Sequence, residues 1–205
     1  MVALFDFDGV LMDTETLYTK FWDNQGLQYV GRKGFGASVK GQTLKHIFEA
    51  HFPDPEVQAN IVKLLDQYEH DMPYNYLPGA EAFLQMLKQK GIRTAVVTSS
   101  DLKKMNNVYR THPEFQAYFD AILMSEDFHH SKPHPECFLL AMERLQATKE
   151  ETVVFEDSFF GLQAARATGS RVVALATTNP RPALEGKADL IVDDFLDPRL
   201  AELFA

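Results

Sequence analysis

From Pro78 onward, short apolar runs rich in β-branched residues alternate with amphipathic stretches. That rhythm restricts the chain to an α/β fold, a parallel sheet flanked by helices. Strands are predicted over residues 2–7, 92–97, 120–124, 152–155, 171–176 and 189–192. Helices are predicted over 78–90, 102–109, 135–146 and 159–168, with a short one near 196–204. The first has Pro78 at its start and Gly91 beyond its end, the expected punctuation. Residues 14–75 break the rhythm, with helical patterns at 15–25, 42–50 and 55–71 and a Gly-rich loop at 31–36. The interval reads as a helical module inserted after the first strand. The expected division is residues 1–13 with 76–205 as one domain and 14–75 as the other.

At 205 residues the chain can bury a substantial core. Its net charge of −9 leaves no broad basic surface for nucleic acid or an anionic membrane. No apolar run approaches membrane-spanning length. Asp6 and Asp8 interrupt the apolar N-terminal stretch and no basic residues precede it, so a secretory signal is not expected. Cys137 is the single cysteine, which excludes an internal disulfide and suits a reducing compartment. A cytoplasmic, monomeric protein with a structural thiol is expected.

Four polar clusters each follow an apolar strand or connection. Phe5-Asp6-Phe7-Asp8-Gly9 ends the first, and alternation puts Asp6 and Asp8 on one side of the backbone. Two carboxylates leaving a buried strand repel each other and need a cation or a shared proton. Thr98-Ser99-Ser100-Asp101 offers hydroxyls and backbone N–H groups to an anion, or simply caps a helix. Ser131-Lys132-Pro133-His134-Pro135 presents an ammonium on a stiff backbone, and Glu156-Asp157-Ser158 adds two more carboxylates. Each signal alone is modest. Together they place a cation site beside an anion site, where open α/β sheets bind ligands and as phosphoryl transfer requires.

The segments DFDGVLMDTE, VVTSS, SKPHPE and VFEDS, in this order and spacing, resemble the four motifs of the haloacid dehalogenase superfamily. The resemblance is nearer to its β-phosphoglucomutase-like sugar-phosphatase branch. It implies a Rossmann-like core with a helical cap. It also implies Asp6 as nucleophile and Asp8 as general acid/base, the latter offering its carbonyl to Mg²⁺. Thr98, Ser99 and Lys132 would bind the phosphoryl group. Asp6, Asp8, Glu156 and Asp157 would make up the metal site, with Glu156 as a ligand or a neighbour of one, and the Lys132–Pro133 bond would be cis. In the cap, Thr14 and Lys40 would face substrate, Lys40 within a segment, 39–43, that resembles the specificity loop.

The mutases of this branch would have a histidine where Tyr18 stands and an arginine near Leu44, so hydrolysis of a small phosphomonoester, such as a sugar phosphate, is the expected activity. A phosphoglucomutase-like isomerase and a non-catalytic phosphometabolite-binding protein are the alternatives.

Overall fold

A computed structural model describes every residue except Gly41, Thr43 and Ala205. The chain divides into two compact units, Thr14–Pro73 and Met1–Asp13 with Tyr74–Ala205. The first unit contains helices α1 (Glu15–Gln25), α2 (Phe35–Val39), α3 (Leu44–His51) and α4 (Pro55–Asp71). The Asp54 carboxylate accepts the Glu56 N–H at 2.8 Å and Pro55 opens the helix, so α4 starts with its first orphan donors met. Phe21, Trp22, Phe35, Phe48, Phe52 and Ile61 form its core. The Gly-rich stretch is not wholly loop, because α2 begins at Phe35. Gly36 is buried there, and a Cβ on it would overlap the Thr19 carbonyl of α1.

The second unit is a six-stranded parallel sheet of β1 (Val2–Phe5), β2 (Arg93–Val97), β3 (Ala121–Leu123), β4 (Thr152–Glu156), β5 (Arg171–Leu175) and β6 (Leu190–Val192). The order is β3-β2-β1-β4-β5-β6, the doubly wound arrangement. Its helices are α5 (Ala80–Gln89), α6 (Leu102–Thr111), α7 (Glu136–Arg144), α8 (Phe159–Ala167), α9 (Arg181–Leu184) and α10 (Arg199–Glu202). The short α9 has no counterpart in the sequence reading. β1 lies at the centre, with Phe5 opposite Val96 on one side and Phe155 on the other. All four of its residues are buried, as an apolar strand covered on both faces must be.

Alternation distributes these side chains between two layers. Val2, Leu4, Val97 and Val154 pack with Phe138, Ala141 and Leu162 of α7 and α8. On the opposite face Phe5 stacks on Phe155 at 4.6 Å between centroids, with Phe83 of α5 edge-on to Phe5 at 6.3 Å. Cys137 is buried in the first layer, where burial pushes its thiol up to about 11.

Most element ends shift by one or two residues from the sequence reading, and two of the shifts have a clear physical cause. β1 ends at Phe5 rather than Phe7, because the Phe7 carbonyl accepts the Leu11 and Met12 N–H groups at 2.9 and 3.1 Å and the chain turns. Tyr74 and Asn75 fall in the sheet unit, two residues outside the expected boundary. The Tyr74 ring is fully buried near Phe7, and the Asn75 carbonyl accepts the Asp13 N–H at 2.9 Å. Among the described residues no helix is long and apolar enough to cross a membrane.

The Phe5–Phe155 stack gives a direct test of the aromatic layer. Phe155→Ala is expected to cost about 3–5 kcal/mol in urea denaturation followed by circular dichroism. A loss below about 1 kcal/mol would show that this layer contributes little beyond surface burial.

Candidate active site

Parallel strands end at the same edge of the sheet, so the residues just beyond β1, β2 and β4 converge. Asp6 follows β1 and still donates its N–H to the Phe155 carbonyl at 3.0 Å, which fixes it beside β4. Glu156 closes β4 and Asp157 follows it. Lys132 reaches in from the connection between β3 and α7. Its Nζ lies 2.6 Å from Asp6 Oδ1, 2.8 Å from Glu156 Oε1 and 3.1 Å from the Val97 carbonyl. The Lys132–Pro133 peptide is cis.

The groups are largely out of water. The Lys132 side chain is 7% exposed and Glu156 is 0% exposed. Glu156 Oε2 accepts the N–H groups of Asp157 and Ser158, at 2.8 and 2.9 Å, and the Ser158 hydroxyl at 3.1 Å. Burial pushes the Asp6 carboxyl up to about 7. Lys132 pulls it down only in part, and Glu156 and Asp8 push it further up. Burial alone would lower the Lys132 ammonium, but Asp6 and Glu156 outweigh it and hold the group above the ordinary lysine range.

Asp8 turns to different partners. Lys104 Nζ lies 2.6 Å from both of its carboxylate oxygens, and the Ser100 hydroxyl donates to Oδ2 at 3.0 Å. Lys104 belongs to α6, on the face that also buries Met105 and Val108. The sequence reading missed it, because Lys104 stands next to Lys103 in a helix that also carries Arg110 and looks like any solvated cation. Also missed were Thr178, whose hydroxyl bonds Asp157 Oδ2, and Asn179, whose amide donates to the Asp157 carbonyl at 3.0 Å. Both lie just after β5, where a polar loop carries no distinguishing pattern.

Thr98 is buried at the end of β2 and its hydroxyl accepts the Ser100 N–H at 3.0 Å, while Ser99 is exposed. Thr14 and Lys40 belong to the helical unit. Thr14 is buried at the start of α1, and Lys40 Nζ lies 3.7 Å from the Glu15 carboxylate. Gly41 and Thr43 of the 39–43 segment lie outside the described residues.

One carboxylate oxygen each from Asp6, Glu156 and Asp157 lies within 4.8 Å of the others. When ionised, Asp6, Asp8, Glu156 and Asp157 carry four negative charges against the two positive charges of Lys104 and Lys132. The deficit matches one divalent ion, and an all-oxygen donor set suits Mg²⁺. The residues therefore fit the ion that the motifs imply.

A doubly wound sheet with carboxylates and a lysine gathered between β1 and β4 defines an α/β domain with its ligand site at the switch point. The family model of haloacid dehalogenase-like hydrolases matches residues 3–175, and the chain belongs to that family. It is similar to a phosphorylated carbohydrates phosphatase of Thermotoga maritima, 31% identical over 82% of this chain and 81% of that protein. It is also similar to a bifunctional riboflavin kinase/FMN phosphatase of Arabidopsis thaliana, 27% identical over 97% of this chain but only 54% of that longer protein. The crystal structure of CbbY from Rhodobacter sphaeroides in complex with phosphate superposes with a TM-score of 0.79 at 25% identity, covering 96% of this chain and 95% of that one.

Gly161 in α8 lies against Glu156 so closely that a Cβ there would overlap its carboxylate. Gly161→Ala is expected to displace Glu156 from Lys132 and to lower stability by about 1–3 kcal/mol in denaturant unfolding. Wild-type stability in this variant would show that the carboxylate position is not fixed by packing.

Proposed function

We propose that the chain is a Mg²⁺-dependent phosphatase that hydrolyses a small phosphomonoester, of the sugar-phosphate class, through an aspartyl-phosphate on Asp6. The reading rests on one observation above all: Lys132 holds the Asp6 carboxylate beside Glu156 and within ligand distance of Asp157. The names of relatives that act on phosphorylated carbohydrates support the substrate class.

In this reading Asp6 Oδ attacks phosphorus and a new O–P bond forms as the ester O–P bond breaks. The leaving oxygen takes a proton from Asp8, releasing the alcohol. Water then attacks the phospho-Asp6, Asp8 recovers a proton from it, and inorganic phosphate departs. Lys132 and Thr98, with backbone N–H groups around Ser99, hold the phosphoryl oxygens as charge redistributes over them. A bound Mg²⁺, held by Asp6, Asp157, the Asp8 carbonyl and Glu156 or a group it orients, would neutralise the anionic ester. Lys104 and Ser100 hold the Asp8 carboxylate, so Asp8 must leave Lys104 as it takes up the proton that it later donates.

Substrate choice is assigned to the helical unit, with Thr14 and Lys40 as candidate contacts. Simple hydrolysis is favoured over isomerisation by Tyr18. Its hydroxyl donates to Glu69 at 2.7 Å, at the position where a mutase-like site would need an imidazole.

Phosphate release should be measured on a panel of sugar phosphates with Mg²⁺, with and without EDTA. Release is expected to require the metal, and Asp6→Asn should lower kcat by about 10²–10⁴-fold or more. Wild-type turnover by Asp6→Asn would overturn the covalent route, and bisphosphate-dependent isomerisation without net release would favour the mutase. Lys132→Met should lose activity and also stability, by about 3–5 kcal/mol, because it leaves two buried carboxylates unpaired.

A further inference from the structure

A second group of metal-type donors stands apart from the carboxylate site. One ligand atom each from His130, His134 and Glu136 lies within 4.8 Å of the others. A turn brings them together. The His134 N–H donates to the Ser131 carbonyl at 3.1 Å, so the chain doubles back and residues 130 and 134 become neighbours. Their rings lie 4.6 Å apart with planes inclined by 35°.

Glu136, the first residue of α7, is fixed in this turn by the N–H groups of His129 and His130, each at 2.9 Å. His129 Nδ1 also lies 3.2 Å from Glu136 Oε1. His130 Nδ1 lies 2.6 Å from Glu136 Oε2. A cation can take the place of the proton shared between them, with Nδ1 and the carboxylate oxygen both as ligands. His134 Nδ1 accepts the Glu136 N–H at 3.2 Å, a long contact that a cation can displace.

We propose that His130, His134 and Glu136 form a second divalent-metal site, for a Zn²⁺-type ion rather than Mg²⁺. Two imidazoles and a carboxylate make a three-ligand set with a fourth position left for water, a common zinc arrangement. Imidazole nitrogen suits Zn²⁺, Cu²⁺ and Ni²⁺, whereas Mg²⁺ takes oxygen, so the two sites differ in the ion they select. Both histidines are exposed, which leaves the site open to ions from solution. Lys132 lies between the two histidines on the same turn, so an ion at this position holds its backbone from both sides. The site does not depend on the phosphatase reading, because it is tested by binding rather than turnover.

The test uses the full chain in excess Mg²⁺, which fills the oxygen-only cluster, with Zn²⁺ titrated by calorimetry. One Zn²⁺ per chain is expected. His130→Ala and His134→Ala, both exposed and checked for native circular dichroism, should each weaken it by at least about tenfold. Raising Mg²⁺ by a further factor of about ten should leave Zn²⁺ affinity unchanged, since the donor sets differ. The site is overturned if no Zn²⁺ binds above the Mg²⁺ background, if both variants bind as wild type, or if added Mg²⁺ competes the Zn²⁺ away.

Discussion

An ammonium buried between two carboxylates, as Lys132 is between Asp6 and Glu156, persists only because each charge offsets the desolvation of the others. Three chain segments that are far apart in sequence must be in place before that balance exists. β1 delivers Asp6, β4 delivers Glu156, and the turn before α7 delivers Lys132. Removing any one leaves the remainder as bare charge in an apolar sheet edge. The surrounding hydrogen bonds follow from this requirement. Ser158 and the N–H groups at the start of α8 take up the Glu156 oxygen that Lys132 does not reach.

A net negative cluster remains after both lysines are counted, and by itself it would repel an anionic ester. The molecule carries a net charge of −9, so long-range attraction toward a phosphate is not available. In the proposed reading, a divalent cation held by Asp6, Asp157 and their neighbours would cancel that local charge and offer a phosphate oxygen a direct partner. With both proposed sites filled, the all-oxygen donor set and the imidazole-containing set near α7 would divide the divalent ions between them by ligand softness.

Much of this was legible in the sequence. Apolar runs over 92–97, 152–155 and 171–176 announced buried parallel strands, and the polar residues directly after the first two are among those the structure gathers at one edge of the sheet. What escaped was set by tertiary contact. Lys104 reads as one more cation in a charged amphipathic helix, and only the position of Asp8 turns it inward. Thr178 and Asn179 sit in a loop whose composition would suit any surface turn. Tyr74 and Asn75 looked like the tail of the helical segment, yet the pocket beside Phe7 and the Asp13 N–H claim them for the sheet. Strand β1 was overestimated because Phe7 continues the apolar alternation after the backbone has begun to turn.

The placement of β1 at the middle of the sheet also bears on the order of events at the ribosome. Its neighbours are β2 and β4, so its second edge stays uncovered until residues 152–156 have been made. Residues of the helical unit are contiguous and need nothing downstream of Pro73 to complete their own core. During synthesis the insert can therefore close first, while the strand that carries Asp6 waits, apolar and half-paired, for the later half of the chain.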